Sequence, residues 1–315
     1  MGCSDFACRS VIPGIRRLPQ YNLIAVSSRD RAKAEKYGQQ FQCLGLEGYQ
    51  RLLEREDIHC VYIPLPTGLH PEWVERALDA GKHLLVEKTF APDARMAREA
   101  VEHARAKKLL LMEKFLFPYH SQTDWFLTQI QAGKIGRCQM FRSLFSIPKL
   151  NSGNFRYSAA LGGGALLDLG GYVIKASRVF LGEPLTVLNA CILEDRDRGV
   201  DIGGLIALAS PGGPVAQVAF RFDSFYQCSW EFIGDEGKLT TERAFTPPPG
   251  FSPTVKFETP GLREEIRLPA DDYVQNLLTT FSSTIREHGN FESHYQDVLS
   301  QASLMDDVKA TASFL

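Results

Sequence analysis

The chain has 315 residues, of which 44% are hydrophobic and 23% charged, so wholesale disorder is excluded and about two domains are predicted. Thirty-five basic residues against 37 acidic ones give a formal charge of −2, which leaves no basic excess for a nucleic-acid partner. No apolar run approaches the roughly 18 residues of a membrane span, and the first ten residues lack the pattern of a secretory signal. Seven cysteines without a CxxC spacing indicate buried, reduced thiols in a cytoplasmic protein.

Residues 1–115 alternate between strand and helix patterns. Apolar strands are predicted at Tyr21–Val26, Cys60–Ile63, His83–Val86 and Leu109–Met112. The helices between and around them are predicted at Asp5–Leu18, Arg31–Phe41, Glu47–Arg55, His70–Ala80 and Asp93–Ala106. Strands that are apolar throughout, separated by helices, are typical of a parallel sheet covered on both faces, as in a Rossmann domain.

Residues 116–315 follow a different pattern and predict a second α/β domain. A long alternating strand is predicted at Arg137–Ile147, and short alternating runs continue from residue 186 to residue 267. These runs predict a large, mostly antiparallel open sheet. Helices are predicted at His120–Ala132, Ala165–Phe180, Asp271–Arg286 and His294–Ser313, and the last two are expected to pack back on the first domain.

A glycine turn stands at the very start of the chain. Gly2, Ser4 and Ala7 form a G-x-S-x-x-A turn that enters a helix through Asp5 and Phe6. Such a turn binds the pyrophosphate of a dinucleotide, because glycine lets the backbone approach and the helix N-terminus offers N–H groups. The alternative is an ordinary helix capped by Ser4 or Asp5. The strand that should precede the turn is missing, so a truncated chain or a mis-set start is expected.

The next strand ends in polar residues that bear on the choice of cofactor. Ser28 and Arg29 lie at its tip, and Lys33 follows four residues later. An arginine at this place accommodates the 2′-phosphate of NADP, so NADP is preferred. Asp30 keeps NAD as an alternative cofactor, because an acidic residue at this place accepts hydrogen bonds from the ribose hydroxyl groups.

The segment GKHLLVEK, which ends at Lys88, closes another predicted strand. A lysine at the carboxyl end of a parallel strand can polarise a substrate oxygen, although a solvated ion pair is the simpler alternative. Together with LLLMEKF, KIGRC and LGGGALLDLGGYVIKA, this segment resembles the Gfo/Idh/MocA family of NAD(P)-dependent oxidoreductases. The resemblance extends over essentially the whole chain and, within the family, points to sugar 3-ketoreductases of deoxysugar-nucleotide pathways.

The resemblance implies which residues carry the chemistry. Lys88, Asp168 and Tyr172 are the expected catalytic groups: Tyr172 donates a proton, Lys88 stabilises its anion and Asp168 orients the sugar. Asp168, Tyr172 and Lys175 also fall near one face of the predicted helix. The alternative for Tyr172 is a core tyrosine. The family further implies a homo-oligomer, a dimer or a tetramer, formed through the open sheet of the second domain.

Weaker expectations concern positions around these motifs. The resemblance implies that Leu65, Pro66 and His70 lie over the cofactor, with Glu87 and Gln122 near its nicotinamide. Lys88 is expected to contact the cofactor as well. Substrate contacts are expected from a further set: Phe115, Arg156, Tyr157 and Lys175. The alternatives are a helix start for His70, plain core for Phe115 and a surface position for Arg156. The histidines and cysteines show no metal-ligand spacing, so no metal is predicted.

One departure from the family motif concerns the residue after Lys88. Thr89 stands where the family has proline, so the turn that places Lys88 is expected to be less constrained. The predicted function is an NADP-dependent oxidoreductase that reduces a keto group of a nucleotide-linked sugar. The alternatives are a dehydrogenase that oxidises a free aldose or a trans-dihydrodiol, and a non-catalytic NADP-binding regulatory protein.

Overall fold

The chain folds into two compact units. The computed structural model describes residues 1–287 and 290–315. The first unit comprises Met1–Lys114 and Val274–Ala302, and the second comprises Phe115–Tyr273 and Ser303–Leu315. The first unit therefore includes a segment from near the end of the chain.

The described residues of both units form helices and strands that are numbered in chain order. The α-helices are α1 Ile12–Arg17, α2 Arg31–Phe41, α3 Gln50–Leu53, α4 His70–Asp79, α5 Ala94–Lys107, α6 Ser121–Gln131, α7 Gly171–Leu181, α8 Tyr273–Arg286 and α9 Glu292–Thr311. Turns of π-helix, Ala7–Val11 and Leu166–Gly170, precede α1 and α7. The strands are β1 Ala25–Ser28, β2 Leu44–Glu47, β3 Cys60–Ile63, β4 His83–Glu87, β5 Leu111–Lys114, β6 Cys138–Ser146, β7 Thr186–Asp195, β8 Val200–Ala209, β9 Val215–Arg221, β10 Gln227–Gly234, β11 Lys238–Glu242, β12 Thr254–Thr259, β13 Leu262–Arg267 and β14 Ala312–Phe314.

The parallel strands of the first unit form two separate sheets. β1 pairs with β2, while β3, β4 and β5 form a three-stranded sheet in that order. The first two residues link these sheets: the Met1 amino group donates to the Tyr62 carbonyl oxygen, and the Gly2 N–H donates to the Ser27 carbonyl oxygen, each over 2.8 Å. The structure thus shows the gap in the sheet that the sequence predicts.

A cavity of about 430 Å³ occupies this gap. Its lining includes Ala25 and Val26 of β1 and Val61 of β3, together with the side chains of Leu278 and Phe281 from α8. Within the described residues, β1 and β3 each pair with a strand on one side only. The cavity is therefore a slot with an unpaired strand edge on either side.

Several predictions about local structure were wrong. Leu44–Glu47 is a strand, and of the helix predicted at Glu47–Arg55 only Gln50–Leu53 is helical. This strand packs tightly on α2, since a Cβ on Gly45 would overlap the backbone of Ala34. Packing between two separate segments of the chain leaves no pattern in the local sequence that would predict the strand.

Two further boundaries also differ from the prediction. The strand predicted at Tyr21–Val26 lies instead at Ala25–Ser28. The last helix ends at Thr311, and Ala312–Phe314 then forms a strand parallel to β7. Three residues are too few to show a strand period, so only pairing with β7 defines this strand.

The cysteines also differ in part from the prediction. All seven are free thiols, but only Cys3, Cys8 and Cys228 are buried, and the other four are half-buried. The cellular compartment stays a prediction.

The second unit is built on one sheet with the strand order β13-β12-β11-β10-β6-β9-β8-β7-β14. Neighbouring strands are antiparallel except for the pairs β6–β9 and β7–β14, so the predicted mostly antiparallel sheet is confirmed. One face packs on α7 and buries Phe141, Phe220 and Trp230 completely. Together with the parallel strands of the first unit, this confirms the predicted α/β class.

The other face of this sheet carries an apolar row. Cys191, Leu205, Ala219 and Leu144 lie directly opposite one another on β7, β8, β9 and β6. Residues opposed in this way point to the same face of a sheet. Leu205 is 58% exposed and the other three residues are half-buried, so the row is partly open to solvent in the single chain.

Filling the slot with a strand is expected to stabilise the first unit. Five apolar β-branched residues joined ahead of Met1 would pair with the open edges of β1 and β3 and bury their side chains, each worth about 1.5–3 kcal/mol. The melting temperature is expected to rise by about 5 °C or more, as followed by circular dichroism. A glycine–serine extension of equal length is the control, and equal melting temperatures for both extensions would contradict this expectation.

Candidate active site

The glycine turn fits closely into the first unit. Gly2 has a φ of +83°, in the region that favours glycine, and a Cβ there would stand 2.8 Å from Leu65 Cδ2. Ser4 Oγ accepts the N–H of Ala7 over 3.1 Å, so it caps the helical turn that follows. The turn is therefore a tight bend that requires glycine at position 2, and it is also the capped start of a helix.

A cavity of about 740 Å³ opens beside this turn. It brings together seven of the residues predicted to bind a cofactor: Gly2, Ser4, Ser28, Arg29, Lys33, Leu65 and Pro66. Its lining does not include the other predicted cofactor residues: Asp5, Phe6, Ala7, His70, Glu87, Lys88 and Gln122. The cavity thus lies at the carboxyl ends of β1 and β3, where ligands of parallel sheets bind.

The acidic residue at the tip of β1 is used to cap a helix. Asp30 Oδ1 accepts the N–H of Lys33 over 2.9 Å at the start of α2. Arg29 instead interacts with the hydroxyl of Tyr49, whose pKa is raised by burial and lowered in part by that guanidinium. Tyr49 also lines the cavity, and sequence reasoning missed it because its place depends on the unpredicted strand β2.

A buried ion pair supports the end of β4. Lys114 Nζ lies 2.8 Å from Glu87 Oε1, and the Tyr62 hydroxyl donates to the same oxygen. Burial alone would raise the pKa of Glu87, but Lys114 and Tyr62 outweigh burial and lower it. Glu87 is therefore held as a carboxylate next to Lys88. Sequence reasoning did not single out Tyr62 or Lys114, which lie at or next to the ends of the two strands that flank β4.

The turn after Lys88 is held by a buried histidine. The Lys88–Thr89 peptide bond is cis. His70 Nδ1 lies 3.1 Å from the Thr89 carbonyl oxygen and 2.9 Å from that of Phe90, and its Nε2 lies 2.8 Å from that of Leu65. Burial lowers the pKa of His70. These contacts give His70 a structural role, and direct contact with a cofactor stays a prediction.

The second unit places two of the predicted catalytic residues on one helical segment. Asp168 lies in the π-turn and forms an ion pair with Arg156, with 2.6 Å between Oδ2 and Nε. The Arg156 carbonyl oxygen accepts the N–H of Gly164 over 2.9 Å, and a Cβ on Gly163 would stand 2.5 Å from that oxygen. The glycine cluster therefore lets the segment around Arg156 close against the helix that carries Asp168.

Tyr172 stands among aromatic rings at the start of α7. Its ring meets those of Phe115 and Phe145 edge to face at 5.2 Å and that of Phe245 at 5.4 Å. Lys175 Nζ lies 5.7 Å from the centre of the Phe115 ring. Tyr172 is half-buried, whereas Phe115 and Lys175 are buried. The rings fix the orientation of the tyrosine.

Two other predicted residues have internal partners in the second unit. Gln122 is buried, and its Nε2 donates to the Ala244 carbonyl oxygen over 3.0 Å. The Tyr157 hydroxyl donates to Asp223 Oδ1 over 2.5 Å. Contacts of Gln122 with a cofactor and of Tyr157 with a substrate therefore stay predictions.

Two further observations concern residues 1–287 and 290–315. Their histidine, cysteine and acidic side chains form no group of three or more that could hold a metal ion. None of their helices combines the length and the apolar character needed to cross a membrane.

Comparison with known proteins defines the class. Residues 1–115 match the oxidoreductase family described as having an NAD-binding Rossmann fold, and residues 127–240 match the GFO/IDH/MocA C-terminal domain. The chain belongs to the GFO/IDH/MocA family of oxidoreductases, and the resemblance inferred from its motifs is confirmed.

Individual relatives are similar over most of their length. A dTDP-3,4-didehydro-2,6-dideoxy-alpha-D-glucose 3-reductase from Saccharopolyspora spinosa is 43% identical over 91% of this chain and 86% of its own. A D-xylose 1-dehydrogenase (NADP(+)) from Haloferax volcanii is 30% identical over 87% of this chain and 84% of its own. The crystal structure of a 3-ketoreductase from Actinomadura kijaniata, in complex with NADP and TDP-benzene, has a TM-score of 0.96 and 37% identity, with coverage of 100% of this chain and 97% of that one.

Proposed function

We propose that this chain is an NADP-dependent oxidoreductase that reduces the 3-keto group of a dTDP-linked deoxysugar. The similarity to 3-reductases of such sugars carries the proposal, since four relatives of that name are 36–43% identical over at least 91% of this chain. The 30% identity to a xylose dehydrogenase is lower, so reduction of a sugar nucleotide is favoured over oxidation of a free aldose.

The cavity of the first unit fits NADP. Its lining offers a glycine turn for the pyrophosphate and the pair Ser28 and Arg29 at the strand end, with Lys33 adding a second positive charge. Asp30 also lines the cavity, but its Oδ1 accepts the N–H of Lys33 at the start of α2, so this oxygen already serves the helix. When bound, NADPH supplies the hydride that is transferred to the carbonyl carbon of the sugar.

Tyr172 is the proposed proton donor to the carbonyl oxygen, and Lys88 is proposed to supply the positive charge that favours its anion. Asp168, paired with Arg156, is proposed to orient the sugar. Variants of a lysine and of a tyrosine of the Actinomadura kijaniata enzyme have been crystallised, and the two stand as far apart in that chain as Lys88 and Tyr172 do here. This equal spacing supports the assignment.

Turnover with a dTDP-linked 3-keto sugar tests the function. NADPH oxidation is expected with a dTDP-3,4-didehydro-2,6-dideoxy sugar, followed as the loss of absorbance at 340 nm. Replacing Tyr172 by Phe is expected to lower kcat by about 100-fold or more, the usual contribution of a general acid. The dissociation constant of NADPH should stay within about twofold, and Lys88→Met is expected to lower kcat in the same way.

Tyr37→Phe, a change of the same kind on α2, is the control and is expected to keep wild-type kcat. Wild-type turnover in Tyr172→Phe and Lys88→Met would contradict the assignment. Turnover with xylose or a trans-dihydrodiol alone would favour the dehydrogenase, and NADPH binding without turnover on any compound would favour the regulatory protein.

The preference for NADP depends on Arg29. Because an arginine–phosphate contact is charge-assisted, Arg29→Ala is expected to weaken NADPH binding about tenfold or more and NADH binding less than threefold. Fluorescence titration with both cofactors measures the two constants. Arg31→Ala is the matched control, since Arg31 pairs with Glu35 on the surface of α2 and does not line the cavity. Equal losses for both cofactors in Arg29→Ala would contradict a 2′-phosphate contact.

The open face of the large sheet is the proposed contact with a second copy of the chain. The apolar row of Cys191, Leu205, Ala219 and Leu144 would be covered in a dimer, as the family resemblance implies. Leu205→Glu is expected to shift the mass measured by light scattering toward the monomer, because it would bury an unpaired charge. Glu264→Lys on the exposed strand β13 is the control. A monomeric wild-type protein would overturn the proposal.

A further inference from the structure

A buried carboxylate from the large sheet contacts the helix that carries Asp168 and Tyr172. Asp201, the second residue of β8, accepts the N–H of Leu166 with Oδ2 at 2.5 Å. Leu166 begins the π-turn that leads into α7. The first amides of a helix have no partner within the helix, so an acceptor here fixes where the helix begins.

The glycine cluster makes room for this carboxylate. Gly164 has a φ of +115°, and a Cβ there would overlap Asp201 Oδ1. The N–H of Gly164 donates to the Arg156 carbonyl oxygen, and the Arg156 side chain pairs with Asp168. Asp201, Gly164, Arg156 and Asp168 are therefore joined in one connected set of contacts within the second unit.

The charge of Asp201 is partly compensated at this place. A negative group at a helix N-terminus interacts favourably with the helix dipole. Burial raises the pKa of Asp201 to about 6, opposed by hydrogen bonds from the Leu166 and Ala165 amides and by the charge of Lys309. Near neutral pH the group is thus a carboxylate, which only accepts hydrogen bonds and takes its orientation from these amides.

We propose that Asp201 is a positioning residue of the active site. It fixes the start of the helical segment, and thereby the placement of Asp168 and Tyr172, without touching the reacting atoms itself. The kinetic consequence rests on the function proposed above, whereas the effect on the helix start does not.

Three variants test the proposal in the full chain. Asp201→Ala removes every acceptor. Asp201→Asn keeps one oxygen for the Leu166 amide but removes the charge. Asp197→Asn, in the exposed turn between β7 and β8, is the matched control for the loss of one negative charge. Amide hydrogen exchange over residues 164–172, melting temperature, NADPH affinity, kcat and KM are measured for each.

Asp201→Ala is expected to exchange the amides at 165 and 166 at least tenfold faster and to lower kcat about tenfold. KM is expected to change less than threefold and NADPH affinity less than twofold, because the helix carries catalytic groups and the cofactor cavity lies in the first unit. Asp201→Asn should show smaller changes in the same direction, with kcat lowered at least threefold. The control variant should match the wild type in all measurements.

A folded Asp201→Ala with wild-type exchange and kcat would overturn the proposal, as would an equal loss in kcat and NADPH affinity. If Asp201→Ala fails to fold, wild-type exchange in Asp201→Asn overturns it. If the wild type turns over no sugar nucleotide, the proposed function fails, and amide exchange alone decides the role of Asp201.

Discussion

Two hydrogen bonds made by the first two residues link the two sheets of the first unit. Met1 donates to the Tyr62 carbonyl oxygen and Gly2 to that of Ser27, so the chain crosses between two sheets that otherwise share no strand pairing. The crossing needs a positive φ and leaves no room for a Cβ beside Leu65. Gly2 also lines the cavity of about 740 Å³, so the residue that bonds to Ser27 is itself part of the candidate cofactor site.

Groups that sequence motifs assign to cofactor or substrate often prove to hold the site together. Arg29 and Asp30 both line the cavity beside Ser28, but Asp30 Oδ1 also caps α2. The division follows from geometry, since an acceptor three residues before a helical N–H is well placed to cap it. A sequence pattern alone cannot separate these roles, because both residues stand at the same strand end.

The positions of candidate residues in the fold could be predicted where local pattern and motif agree. Lys88 at the end of an apolar strand and Tyr172 one turn after Asp168 are examples, and their catalytic roles stay predictions. Strand β2, Tyr49 and the Lys114 partner of Glu87 could not, because each is defined by contacts between segments distant in sequence. The slot beside β1 is the reverse case: an expected strand pattern is missing, and its absence predicted a real gap in the sheet.

The turn after Lys88 shows that one substitution in a motif is a poor guide to how firmly a turn is held. Threonine in place of proline predicts a looser turn, because the ring that restricts the backbone is lost. The turn is nevertheless tied on both sides: His70 contacts the carbonyl oxygens of Thr89 and Phe90, and the Phe90 N–H donates to Glu113 over 2.8 Å. Buried hydrogen bonds in a low-dielectric interior are costly to break. The constraint that proline places in one residue is here distributed over partners from α4 and β5, which a motif comparison at a single position does not register.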